Sequence, residues 1–227
     1  QYQASHRADG LILLGYGDYA EYREKLAALA AANTRFVIWG PLVMDQPGCS
    51  FGCDNENGGY QATRHLINLG RKRIAYIGRM ARRSPEHAAR YAGYVRALRE
   101  AGEAPIDKLR VPADNSESLG YEAVQRLLER GESFDAIFAV TDLIAIGAMR
   151  ALQEAGLRVP HDVSVVGFDD MPLAAYVTPA LTTVQQNAQI GGARLVEGIV
   201  SLIEGKTVQS GLLAPRLVVR ESCGAKS

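Results

Sequence analysis

Three apolar runs deliver the residues whose types could do chemistry. The run at 163–167 (VSVVG) is followed by Phe168, Asp169 and Asp170, and the run at 136–140 by Thr141 and Asp142. The run at 36–39 (FVIW) ends in Trp39 itself, and 73–77 leads toward Glu86, His87 and Arg90. If these runs are parallel strands, ligands collect beyond their carboxyl ends, which puts these residues first. Asp169 and Asp170 could form a catalytic or metal pair. Adjacent acids at a strand end diverge, however, so the pattern predicts one carboxylate accepting hydroxyl hydrogen bonds while its neighbour fixes the turn. Asp142 stands where a helix N-cap belongs, which leaves Thr141 freer to face a ligand. Arg90, within AARYAGY, either snorkels to solvent or points into a cleft. His87 reads as an exposed first-turn residue. Trp39 and Tyr16 either stack on a flat ring or sugar face or act as lids on the core.

Other chemistries lack their residues. No Ser or Cys sits in a G-x-S-x-G setting, and no His has a partner at catalytic or metal spacing. Gly78 and the Gly15-x-Gly17 pair do not form a dinucleotide fingerprint. The expectation is therefore a binding protein without catalytic residues, metal or cofactor. The 227 residues carry 25 basic and 25 acidic side chains, and a net charge of zero argues against a surface that itself grips a phosphate backbone. With 47% hydrophobic and 22% charged residues the composition is that of an ordered globular chain. No apolar run approaches the roughly 18 residues of a membrane span, and nothing at the start reads as a signal peptide. Cys49, Cys53 and Cys223 are odd in number and lack metal-ligand spacing, so a reducing cytoplasm is expected and Cys49 and Cys53 should only pack.

The elements that must hold these residues alternate between β-branched runs and amphipathic helices, which predicts an α/β fold with parallel sheets. GLILL (10–14) reads as a strand covered on both faces. Asp18 is placed to cap a helix to about residue 32 with Tyr22, Leu26, Leu29 and Ala30 on one stripe. After the strand at 36–39 comes a loop rich in Pro, Gly and Gln, then a helix opened by DNENGG (54–59) and closed at Gly70. Ser84-Pro85-Glu86 starts a helix with Ala88, Tyr91, Ala92, Val95 and Leu98 on one face. A strand at 109–111 and helices at 116–130 and 142–155 follow, with the 136–140 and 163–167 strands around the latter. A strand at 181–184, a helix at about 187–204 and a strand near 217–220 complete the pass.

Four blocks resemble the effector-binding domain of the LacI/GalR family of bacterial transcription regulators. They are CDNENGGYQATRHLINLGRKRIAYIG (53–78), RYAGYVRALREAG (90–102), FAVTDLIAIGAMRALQEAGLRVPHDVSVVGFDD (138–170) and PALTTVQQ (179–186). Arg71 replaces a usual histidine, and Thr141 stands where many members carry Asn. The resemblance implies a type I periplasmic-binding-protein fold, with two Rossmann-like subdomains joined by three crossovers and a small-molecule site between them. The first would comprise 1–70 plus 187–206, and the second 71–186 plus 207–227. By the same resemblance Arg90 bonds ligand oxygens, Asp169 takes paired hydroxyls, and Thr141 precedes the TD aspartate. Asn115 falls where members place a stacking aromatic or a polar residue, and Asn57 and Gln186 lie near the crossovers; Trp39 joins the candidate set from its strand-end position alone. Arg90→Ala should then abolish ligand-induced stabilisation and leave the melting temperature within a few degrees.

Family members begin with a helix-turn-helix headpiece, a hinge and two βα units, whereas this sequence opens at the third unit. The expectation is a core whose N-terminal part is missing, leaving unpaired strand edges and apolar surface. The whole would be a cytoplasmic homodimer that binds a sugar or related metabolite and so alters its affinity for operator DNA. The alternative on the same fold is a periplasmic sugar-binding protein serving transport or chemotaxis.

Overall fold

The computed structural model describes residues 8–15, 19–43, 45–79 and 84–225. The chain divides into two compact units. The first comprises residues 1–54, 82–86 and 187–214, and the second 55–81, 87–186 and 215–227. Tyr16 and Asp18 lie outside the described residues.

The first unit is a parallel sheet of β1 (Leu11–Leu14), β2 (Phe36–Trp39), β3 (Cys49–Cys53) and β9 (Gly211–Leu213), in the order β1-β2-β3-β9. Alternation along β2 assigns its two faces. Phe36 and Ile38 pack with Leu26 of α1 (Tyr19–Ala31), joined by Tyr22 and Leu29. Val37 packs with Cys49, Phe51, Leu195 and Ile199, the last two from α6 (Ala188–Ile203). Asn187 caps α6 through its Oδ1. Expected coverage of β1 on both faces is not what the fold delivers. Leu11 and Leu13 meet the α1 layer, but Ile12 and Leu14 are 44% and 57% exposed, because β1 is the edge strand. The Pro- and Gly-rich loop also hides β3, a fully buried strand with no β-branched residue to announce it.

The second unit is a six-stranded sheet, β10-β8-β7-β6-β4-β5. Its strands are β4 (Ile74–Ile77), β5 (Arg110–Val111), β6 (Ala136–Ala139), β7 (Ser164–Asp169), β8 (Thr182–Gln185) and β10 (Arg216–Val218). All pairings are parallel except β10 on β8. Side chains of β7 alternate between two helical layers. Gly167 faces Asp142 and Ala145 of α5 (Asp142–Glu154), where a Cβ would collide with the Asp142 carboxylate. Phe168 lies against Gly58 of α2 (Asn55–Asn68). α4 (Glu117–Glu129) packs against α5, and α3 (Pro85–Glu100) places Tyr94 against Tyr76 of β4.

Three expectations shift here. The boundary falls at residue 54 rather than 70, because α2 packs on β6, β7, β8 and β10. Residues 207–214 belong to the first unit, because β9 pairs with β3. The buried face of α3 is Arg90, Gly93, Tyr94, Ala97 and Leu98, not the stripe through Ala88 and Ala92. Gly93 decides this rotation: a Cβ there would run into the Glu56 carbonyl, so α2 and α3 approach backbone to backbone.

Candidate ligand-binding site

The site grows from Arg90, one of the few charged residues the fold buries, with only 4% of its surface exposed. The α3 rotation turns its side chain inward. Its Nε donates to Asn55 Oδ1 at 2.8 Å and its Nη1 to the Val140 carbonyl at 2.5 Å. The guanidinium carbon lies 3.6 Å from the centroid of the Phe168 ring, and Nη1 stands 3.4 Å from Asp169 Oδ1. Stacking, two hydrogen bonds and an ion pair compensate the desolvated charge. Among the described residues Nη2 has no hydrogen-bond partner, so one edge of the fork is left to bind something else.

Asp169 and Asp170 diverge as strand-end acids should. Asp169 accepts from Gln186 Nε2 at 2.5 Å and faces Arg90. Burial raises its carboxyl pKa, with Arg90 and Gln186 pulling the other way. Asp170 turns to the other side, accepting from Arg220 Nη2 at 2.6 Å and from Gln185 Nε2 at 2.8 Å.

The helix cap is Thr141, not Asp142. Thr141 Oγ1 accepts from the Ile144 amide at 3.4 Å and donates to Asn115 Oδ1 at 2.7 Å. Asp142, the first helical residue, is fully buried and accepts from Thr183 Oγ1 at 2.5 Å and the Met171 amide at 2.7 Å. Burial pushes its carboxyl pKa up to about 7, aided by the nearby Asp169 and Asp170 charges, while the two hydrogen bonds oppose the shift. Asp142 therefore braces the turn after β7, and Thr141 is a buried hydroxyl tied to the exposed Asn115.

His87 also departs from expectation. It is half-buried, and its Nδ1 is buried without a hydrogen-bond partner among the described residues. Desolvation, then the Arg90 charge, push its pKa down to about 4, so the ring is neutral at pH 7. Trp39 belongs to the first unit, where its ring packs with the Val37, Phe51 and Leu195 cluster and fills the space over Gly191.

The second unit thus gathers Arg90, Asp169 and Gln186 into one network, joined through the Val140 carbonyl to Thr141 and Asn115. Asn57 is half-buried in the same helix as Asn55 and outside the Arg90 hydrogen bonds. Sequence reasoning missed Asn55 and Arg220. The DN-x-x-G motif held a signal for Asn55, read only as a helix opening; nothing local marked Arg220, which acts across 50 residues of chain. No group of three or more metal-ligating side chains occurs among the described residues.

A charged, hydrogen-bonding constellation at the strand ends of a parallel α/β sheet is the arrangement in which such folds hold small polar molecules. A family model for the periplasmic binding protein-like domain matches residues 63–223. The HTH-type transcriptional regulator CelR of Thermobifida fusca is 34% identical over 229 residues, covering 97% of this chain and 65% of that protein. The HTH-type regulator AscG of Escherichia coli (strain K12) is 44% identical over 186 residues, covering 82% and 54% respectively. A solved CelR–cellobiose complex superposes with a TM-score of 0.88 at 34% identity, over 97% of this chain and 68% of that one. The chain belongs to the periplasmic binding protein-like domain family and, within it, to the LacI/GalR-type regulators, as its motifs led us to expect. It spans less than two thirds of the length of CelR or AscG.

Proposed function

We propose that this chain is the ligand-binding regulatory core of a LacI/GalR-type transcription regulator and that its effector is a sugar or a closely related polyhydroxyl metabolite. In this reading the effector sits at the carboxyl ends of β4, β6 and β7. Arg90 donates to its oxygens, Asp169 accepts from paired hydroxyls, and Thr141 with Asn115 bonds the remainder; Asn57 and Gln186 are secondary contacts. The observation that carries the reading is the buried Arg90, stacked on Phe168 and paired with Asp169, with one edge of its fork unused among the described residues. A neutral polyol suits this arrangement, because each hydroxyl both donates and accepts, and each buried polar group left unpaired costs about 1–3 kcal/mol.

In the full-length protein, effector binding changes the affinity of a homodimer for operator DNA, read by a helix-turn-helix module in the cytoplasm. Shifting a two-state equilibrium from 1:99 to 99:1 needs about 5.5 kcal/mol of differential binding. Charge-assisted bonds to Arg90 and Asp169, at roughly 1.5–3 kcal/mol each, supply that order. The CelR relative bound to cellobiose supports the sugar class. No helix among the described residues is long and apolar enough to cross a membrane.

A thermal-shift screen of the full-length protein against cellobiose, other mono- and disaccharides, sugar phosphates and purines tests this. A ligand at 100 times its Kd adds about 2.7 kcal/mol, a shift of several degrees. A shift confined to sugars supports the reading; a shift with purines alone, or none at all, overturns the sugar assignment.

A further inference from the structure

The turn after β7 adopts a backbone its residues do not favour. Asp169 has φ +117° and Asp170 φ +55°, two successive non-glycine residues with positive φ. Such a pair persists only where its surroundings over-determine it. The surroundings here can be named one by one. The Met171 amide donates to Asp142, and the Asp170 amide donates to Thr183 Oγ1 at 3.4 Å. Gln185 Nε2 donates to Asp170 Oδ2, and Arg220 Nη2 to Asp170 Oδ1.

Arg220 is the one cation bonded to Asp170 among the described residues. It reaches the turn from just beyond β10 and is itself anchored. Its amide donates to Thr182 Oγ1 and its Nη1 to the Leu181 carbonyl, each at 2.8 Å. Its side chain is 20% exposed and that of Asp170 11%. Asp170 otherwise lies near the buried Asp142 carboxyl.

We propose that Arg220 is a positioning residue of the ligand site: by clamping Asp170 it holds the two-acid turn in the backbone that aims the Asp169 carboxylate at Arg90 and at the ligand. This rests on the proposed role of Asp169 as ligand acceptor. Without Arg220, Asp170 is left half-buried beside Asp142 with no cation to pair it, and the turn relaxes toward extended φ. Asp169 then loses its alignment with Arg90 and Gln186 without any group on the ligand side having been touched. The C-terminal tail, remote from the motifs that name the family, becomes part of the binding machinery. Arginine is needed rather than any cation, because its fork reaches the Leu181 carbonyl and the Asp170 carboxylate together.

The test compares wild type, Arg220→Gln and Arg220→Lys in the full-length protein, with cellobiose and the other sugars of the screen as probes in calorimetry. Arg220→Gln is expected to lower sugar affinity about tenfold or more, and Arg220→Lys to recover part of that loss. In parallel, the side-chain amide of Gln186, assigned by its disappearance in Gln186→Leu, reports the bond to Asp169 by NMR without ligand. Its resonances are expected to move to free-amide positions in Arg220→Gln. Wild-type affinity in Arg220→Gln, or an unmoved Gln186 amide, overturns the proposal, as does an affinity loss that Arg220→Lys does not relieve at all. If wild type binds no sugar, the functional reading fails and the amide signature alone judges Arg220.

Discussion

The two sheets of this protein follow the same βα arithmetic and use their strand ends differently. In the six-stranded sheet the strand ends meet polar groups from distant elements: Asn55 from α2, Arg90 from α3, Arg220 from beyond β10. In the four-stranded sheet the strand-end Trp39 folds over its own hydrophobic cluster against α6. Strand-end position alone therefore does not make a residue chemical. It becomes so where buried helices bring it partners it must satisfy, since desolvated polar groups are costly unless paired.

The largest effect should come from breaking that satisfaction. Arg90→Ala removes the cation from a buried pair and leaves Asp169 and Asn55 uncompensated. A loss of about 3–5 kcal/mol is expected in urea unfolding, so the variant melts well below wild type. This replaces the sequence-based expectation of a change within a few degrees, because Arg90 ties Asn55, the Val140 carbonyl and the Phe168 ring together inside the second unit. A near-normal urea midpoint would show that the network stabilises little. Trp39→Leu is the companion in the other sheet, expected to destabilise through lost packing while sugar affinity stays within about threefold. A tenfold fall would make Trp39 a ligand platform instead.

Two buried titrations come next, with opposite signs. Asp142 has a folded-state pKa of about 7, above its ordinary value, so it contributes stability at low pH that is lost as pH rises through 7. Between pH 5 and 8 that loss is about 2–3 kcal/mol, and Asp142→Asn should flatten it. His87 is depressed to about 4, so its contribution is full above its ordinary value of 6.5 and is lost as pH falls toward 4. From pH 7 to 5 that amounts to about 2 kcal/mol, which His87→Gln should abolish. Urea midpoints across pH 5–8 separate the two, and parallel profiles for wild type and both variants would refute the assignment.

The smallest effect sharpens the comparison most. Ser116 and Thr141 each cap a helix through the side-chain oxygen. Replacing either by alanine should cost about 1 kcal/mol. Only Thr141→Ala should also weaken sugar binding, because only Thr141 is tied to Arg90 through its neighbour Val140. Equal affinity in both variants would remove Thr141 from the site.

Much of this was legible in the residues. The alternation of apolar runs and helices placed β1, β2, β4, β5, β6, β7, β8 and β10 and the six described α-helices within a few positions, because period and capping are local physics. Strand β3 (CSFGC) and the three-residue β9 were invisible, having neither alternation nor β-branched content. The face of α3 was misread for a definite reason. Its polar-looking Arg90 is buried and its small Ala92 exposed, a reversal caused by the close approach of α2 at Gly93. Asp142 was mistaken for a cap because both Thr141 and Asp142 are good capping types, and only the bonds to Thr183 and Met171 distinguish them.

By itself the sequence determined the class of fold, the family and the residue types at the strand ends, since these follow from hydrophobic period and from motifs within short stretches of chain. The tertiary structure alone decided which side chains share a network: Asn55 with Arg90, Asp170 with Arg220, α2 with the second sheet rather than the first. The physical reason is the same in each case. A buried polar group selects its partner by where it loses water, and that is set by packing between elements far apart in the chain.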